Sequence, residues 1–112
     1  MTRSRMRRYF RHGFLPQIVA FEACVRHGSV TRAAEELSLA QPTVSCLVRK
    51  LSDTLGERLL ETRSRRVEPT PAGRELLGLY GEIFAAFHRF DERCAPIAIE
   101  VPRFPANVSS RR

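Results

Sequence analysis

Cysteine is scarce in this 112-residue chain, with thiols only at positions 24, 46 and 94. Such spacing makes no zinc motif and an odd number leaves no complete disulfide set, so no metal or other cofactor is expected, and a reducing cytoplasm suits the chain. Long apolar runs are missing too. The longest, FLPQIVAFEACV, is interrupted by Pro16, Gln17 and Glu22 and is too short to span a bilayer, so no membrane role is expected. His12, His27 and His88 are scattered, with no nucleophile or carboxylate at a catalytic spacing, and an enzyme is not expected. Acidic residues are absent from residues 1–12, which hold five arginines and little apolar periodicity. A twin-arginine export signal shares that look, but here the following apolar segment continues with helical periodicity into a domain. The expectation for 1–12 is a basic flexible arm, either simply solvated or touching phosphates.

Positive charge is abundant. A formal net charge of +7 favours a polyanionic partner, and 43% hydrophobic residues suffice for the core of one small domain. Within that domain, SVTRAAEELSLAQPTVSCLVRKLSDTL from Ser29 to Leu55 carries two amphipathic helical patterns separated by Ser38-Leu39-Ala40. Val30, Ala33, Ala34 and Leu37 share one face of the first; Val44, Leu47 or Val48, Leu51 and Leu55 share one face of the second. Small Ala33 and Ala34 let the helices approach, Leu39 can plug the corner, and Pro42 suits a first helical turn because its missing N–H has no partner to lose there. This is the pattern of a helix-turn-helix. Before it, Phe14, Ile18, Phe21 and Val25 mark a helix face that Arg26-His27-Gly28 closes, and Ser29 or Thr31 can cap the next helix.

After Gly56, Leu59 to Pro69 has the length and turn chemistry of a hairpin, with Leu59-Leu60 beneath it, Arg63-Ser64-Arg65 turning and Val67 returning. Thr70-Pro71 then opens a helix that runs to about Cys94, ahead of Pro96. Leu76, Tyr80, Ile83, Phe87, Phe90 and Cys94 lie 4, 3, 4, 3 and 4 residues apart on it, a heptad stripe widened by Leu77 and Phe84. Its first turns can fold back on the domain, and the remainder predicts pairing with a second chain's helix. The expected fold is mainly α: a winged helix-turn-helix at 13–70, with a three-helix core and a β-hairpin wing, then a long dimerisation linker helix at 71–95. Residues 96–112 read as a disordered tail.

In such a fold the opening turns of the second motif helix enter the major groove. Gln41 can pair with adenine, Pro42 and Thr43 can meet a thymine methyl, Ser45 can serve a base or phosphate, and Arg49 and Lys50 suit phosphates. Arg63 and Arg65 at the hairpin tip suit a phosphate or the minor groove, the alternative being an ordinary solvated loop. Arg32 and Arg66 complete the basic candidates.

Phe21, Gly28-Ser29, Ala33-Ala34, Leu37, Gln41-Pro42, Val44-Ser45, Leu51, Leu55-Gly56, Leu59, Arg65-Arg66-Val67 and Thr70-Pro71-Ala72-Gly73 resemble the N-terminal DNA-binding domain of LysR-type transcriptional regulators, over roughly Leu15 to Leu77. The resemblance implies double-stranded DNA as partner, Gln41, Pro42 and Ser45 as groove contacts, Thr31 as a phosphate contact, Ser64 and Arg65 as wing contacts, and a linker helix that pairs two subunits. The chain departs from that pattern at Cys46 and Leu47, where long polar residues are usual, at Thr62 for arginine, at Ser52 for glutamate and at Pro69; Arg63 can restore part of the wing charge. Family members normally continue into a two-lobed ligand-binding domain, which is not expected here, so no small-molecule effector is expected either. The function expected is a homodimeric, sequence-specific transcriptional regulator in the cytoplasm, associated with the nucleoid. A different class of function is a protein-interaction module that forms mixed dimers with a longer relative and antagonises it, and a remnant without a selected role is a third possibility.

Overall fold

Left-handed residues punctuate this chain into its helices. The computed structural model describes residues 13–94, so the arm at 1–12 and the tail at 96–112 lie outside the described residues. Helix α1 spans Phe14–His27, α2 Val30–Leu37 and α3 Gln41–Leu55; strands β1 Leu60–Arg63 and β2 Arg66–Pro69 form the hairpin, and α4 spans Pro71–Cys94. Gly28 (φ 66°) and Gly56 (φ 70°) stop α1 and α3, positions where a Cβ would be strained. Ser38 stops α2 with φ 58°, and its N–H and that of Leu39 return to the Glu35 and Ala34 carbonyls. That closes the corner within the expected Ser38-Leu39-Ala40, and Leu39 packs half-buried against the core. Ser29, not Thr31, caps α2, its hydroxyl accepting from the Arg32 N–H at 3.1 Å.

Around α1 the burial is wider than periodicity indicates. Gln17 through Phe21, Ala23 and Cys24 are buried, whereas Phe14 and Val25 on the anticipated face are only half-buried. The cause is its central place: α2, α3, α4 and β2 all pack on α1. Small Ala20 and Ala23, both fully buried, permit close approach on flanks that a hydrophobic stripe does not mark. One core cluster joins Ala20, Ala23, Cys24, Ala33, Ala34, Leu37 and Val44, and a second joins Ile18, Phe21, Leu51, Leu59 and Leu76. α1 contributes buried residues to both clusters, and Val48, Leu60, Tyr80 and Phe84 pack against both, so α3, the wing and α4 bridge them.

The strands pair antiparallel with Leu60 opposite Pro69 and Arg63 opposite Arg66, so Ser64 and Arg65 alone form the turn. Both have positive φ, 52° and 67°, the handedness that matches the twist of a tight hairpin although neither residue is glycine. Arg63 therefore ends β1 instead of turning. The root of the hairpin is fixed at both sides: the Val67 N–H donates to the Gly28 carbonyl at 3.1 Å and the Thr70 N–H to the Leu59 carbonyl at 3.0 Å. Thr70 also caps α4, its hydroxyl accepting from the Gly73 N–H at 3.1 Å and donating to the Arg58 carbonyl at 2.6 Å. At Gly73 a Cβ would collide with the Leu59 carbonyl, so glycine lets α4 start directly against the wing.

The stripe on α4 divides. Leu76 is buried, and Tyr80, Ile83 and Phe84 pack half-buried against the chain's own core, while Phe87 and Phe90 remain 48% and 56% exposed. Tyr80, Phe84 and Phe87 form a continuous run of ring contacts, with centroids 4.7 and 5.5 Å apart. Burial, followed by the charge of Glu22 nearby, pushes the Tyr80 hydroxyl above its usual pKa.

Candidate nucleic-acid interface

Burying Val44 and Leu51 under α3 sets its other side toward solvent, because residues three or four apart share a helix face. Gln41, Pro42, Thr43, Ser45, Arg49 and Lys50 are all exposed there. So are Thr31 and Arg32 at the start of α2 and Arg63, Ser64, Arg65 and Arg66 on the hairpin. None of these candidate side chains is used by the core. The first two elements meet at one hydrogen bond, from the Thr31 hydroxyl to the Gln41 Oε1 at 3.3 Å. With its oxygen held by Thr31, the Gln41 amide nitrogen is left to donate to an acceptor such as a base edge or a phosphate. Thr31 is thus a partner of the Gln41 side chain as well as a candidate phosphate contact.

On the wing, register places Glu61 directly opposite Glu68, two like charges on neighbouring strands. Arg63 lies between them, its guanidinium 3.7 Å from Glu61 and 3.8 Å from Glu68. These pairs offset part of the charge Arg63 could offer a phosphate. Arg65, in the turn itself, has no ion pair among the described residues at the distances that define these. Arg66 lies across Gly28, at the carbonyl end of α1, where a cation is favoured, so close that a Cβ there would collide with the guanidinium. It couples the wing to the first helix.

A polar clamp formed by the two residues before Gly28 holds α1 against α2. Arg26 donates to Glu22 at 2.9 Å and to Glu36 at 2.9 Å, and His27 lies 2.6 Å from Glu36. Hydrogen bonds from Arg26 and then His27 hold the Glu36 carboxyl below the usual carboxylate range. The i, i+4 half of this clamp, Glu22 with Arg26, is local; the Glu36 half exists only because α2 folds back beside α1. Among the described residues no cluster of His, Cys, Asp and Glu could hold a metal ion, and no helix is long and apolar enough to cross a membrane.

A buried α1, a tight α2–α3 corner, an exposed α3 face and a basic hairpin immediately before a long helix define a winged helix-turn-helix domain. The chain belongs to the LysR family of bacterial regulatory helix-turn-helix proteins, whose family model matches residues 15–74, more than half of the chain. It is 52% identical over 65 residues to the RuBisCO operon transcriptional regulator of Allochromatium vinosum, covering 58% of this chain and 22% of that protein. Over 84 residues it is 37% identical to the HTH-type transcriptional regulator PgrR of Escherichia coli K12, covering 75% and 27% respectively. The chain thus spans about a quarter of the length of these curated relatives. Among solved structures it resembles the BenM DNA-binding domain in complex with catB site 1 DNA, with TM-score 0.69 and 31% identity over 79% of this chain and 98% of that one. Full-length CbnR complexed with its target DNA matches with TM-score 0.63 and 31% identity, over 70% of this chain and 27% of that one.

Proposed function

We propose that this chain is a sequence-specific transcriptional regulator that binds duplex DNA as a homodimer, in the cytoplasm and associated with the nucleoid. The opening turns of α3 enter the major groove, and the hairpin tip reaches the minor groove or the backbone beside it. The observation that carries this reading is the division of α3: Val44 and Leu51 are buried, while every candidate from Gln41 to Lys50 is exposed on a chain of net charge +7. Gln41, Pro42, Thr43 and Ser45 would meet base edges. Thr31, Arg32, Arg49, Lys50, Arg63, Ser64, Arg65 and Arg66 would supply mainly backbone contacts, which add affinity and register without reading sequence. The relatives captured with DNA support the choice of partner.

Pairing rests on the second half of α4. Phe87 and Phe90 are exposed aromatic residues at heptad spacing, with Cys94 a turn beyond, whereas Leu76, Tyr80 and Ile83 already contribute to the chain's own core. A matching helix laid alongside would cover the exposed rings. A longer relative with the same helix could fit this seam too, and mixed dimers that antagonise it are the second reading. Selection of binding sites from a random duplex pool, with mass measured by light scattering, tests the proposal. The expected result is a dimer that enriches a two-fold symmetric site with half-sites about one helical turn, or a multiple of it, apart. Sequence-blind binding by a monomer would refute it.

A further inference from the structure

An open cleft of about 240 Å³ is lined by the middle of α3, the root of the wing and Val30 at the start of α2. Ser45, Arg49 and Ser52 of α3 line it together with Arg58, over apolar side chains that include Val48 and Leu60. The α3 residues are spaced four and three apart, so successive turns of one helix face present them. No lining residue is acidic. Two arginines and two hydroxyls with no carboxylate among them border a mainly apolar cleft, and a guanidinium fork matches phosphate oxygens better than it matches any neutral group. The apolar floor excludes a small, fully hydrated ion as the best occupant and suits a phosphate carried on a sugar.

Position decides which phosphate. If the opening turns of α3 occupy a major groove and the hairpin tip the neighbouring minor groove, one strand of the duplex backbone has to pass between those two elements. The cleft joins these two elements, lined on one side by Ser45, Arg49 and Ser52 of α3 and on the other by Arg58 to Leu60 at the foot of the wing. We propose that it seats a backbone phosphodiester of bound DNA between Arg49 and Arg58, and that Arg58 is a DNA contact. This rests on the DNA-binding reading above and adds to it a residue that the helix-turn-helix pattern does not mark. Arg58 is well placed for that work. Its carbonyl accepts from the Thr70 hydroxyl at 2.6 Å and the next residue, Leu59, is 1% exposed, so the main chain is anchored while the side chain stays in solvent. An anchored arginine loses less freedom on binding than one in an untethered loop.

The test is equilibrium binding of the whole chain to duplex DNA between 50 and 200 mM salt. Arg58→Gln removes one phosphate contact, so its salt slope is expected to fall by about 0.9 and its affinity to drop about 3.5-fold less than the unaltered chain's across that range, with the ranking of DNA sequences unchanged. Arg89→Gln, on an exposed part of α4, is expected to leave the slope as it was. An unchanged slope for Arg58→Gln alongside a reduced slope for Arg65→Gln would overturn the cleft while leaving the DNA-binding face in place. Altered sequence preference with an unaltered slope would also overturn it. Absence of salt-dependent binding by the unaltered chain would overturn both readings together.

Discussion

Replacing Gly28 by alanine tests how the first helix holds the wing. Gly28 has φ 66°, its carbonyl accepts from the Val67 N–H at 3.1 Å, and the Arg66 guanidinium lies where a Cβ would project. A left-handed conformation costs a non-glycine residue about 1–2 kcal/mol. Stiffening the unfolded chain returns about 0.4–1 kcal/mol of that. The collision adds little, because it is with the far end of a flexible side chain that can swing aside. The net expectation is a loss of about 1 kcal/mol, which for a domain of this size lowers Tm by about 4–8 °C. Thermal unfolding followed by circular dichroism measures it, in the unaltered background and in Arg66→Ala. Because the backbone dominates, the loss should persist when Arg66 is absent, and Gly28→Asn should lose less, asparagine tolerating the left-handed region better. A neutral Gly28→Ala, or a loss that vanishes in the Arg66→Ala background, would show that the left-handed backbone at Gly28 is not what sets the cost.

Other perturbations probe separate parts of the molecule. Phe87→Asp should leave a folded monomer with weak DNA binding, since the ring is 48% exposed in one chain and a charge in a dry helix pairing is costly; a dimer that survives the change would contradict the proposed seam. Burial pushes the Cys24 thiol up to about 11, so iodoacetamide at pH 8 should label the half-buried Cys46 in the native protein and reach Cys24 only on unfolding. Equal labelling rates would show that the core opens readily. Glu36 has a folded pKa below its unfolded one, so its contribution is present above the ordinary carboxylate range and is lost as pH falls through the depressed value. Glu36→Gln should therefore be less stable than the unaltered chain near neutrality, by no more than about 1 kcal/mol for so exposed a clamp, and the difference should shrink in acid. A difference that grows in acid would reverse the assigned sign.

How far the sequence could be read depended on whether a feature was local. Gly28, Ser29, Pro42, Gly56 and Thr70-Pro71 set their turns and caps through nearby backbone, and the helix and hairpin limits they imply match the structure closely. Ala33 and Ala34 were recognisable as close-approach residues because they sit on the same face as Leu37. The breadth of α1 burial was not legible, since Ala20 and Ala23 look neutral in a hydrophobic pattern and are buried by elements that pack on α1 from elsewhere in the chain. A heptad stripe records apolar spacing without recording what covers it, so the inward use of Tyr80, Ile83 and Phe84 emerged only once α4 was laid on α1. The exposed α3 candidates follow directly from helical phase. The Thr31–Gln41 contact, the two glutamates beside Arg63 and the cleft beside Arg58 all depend on segments distant in sequence, and no spacing rule joins them.

In the proposed mode of binding, α3 reads bases through its first turns while the surrounding arginines hold the backbone. Its most direct test is Gln41→Ala measured against a selected site and every single-base variant of that site. The expected result is a loss of about 1–3 kcal/mol that depends on the identity of one base pair and disappears when that pair is changed. A uniform loss across all sequences would place Gln41 on the backbone and contradict that mode of binding.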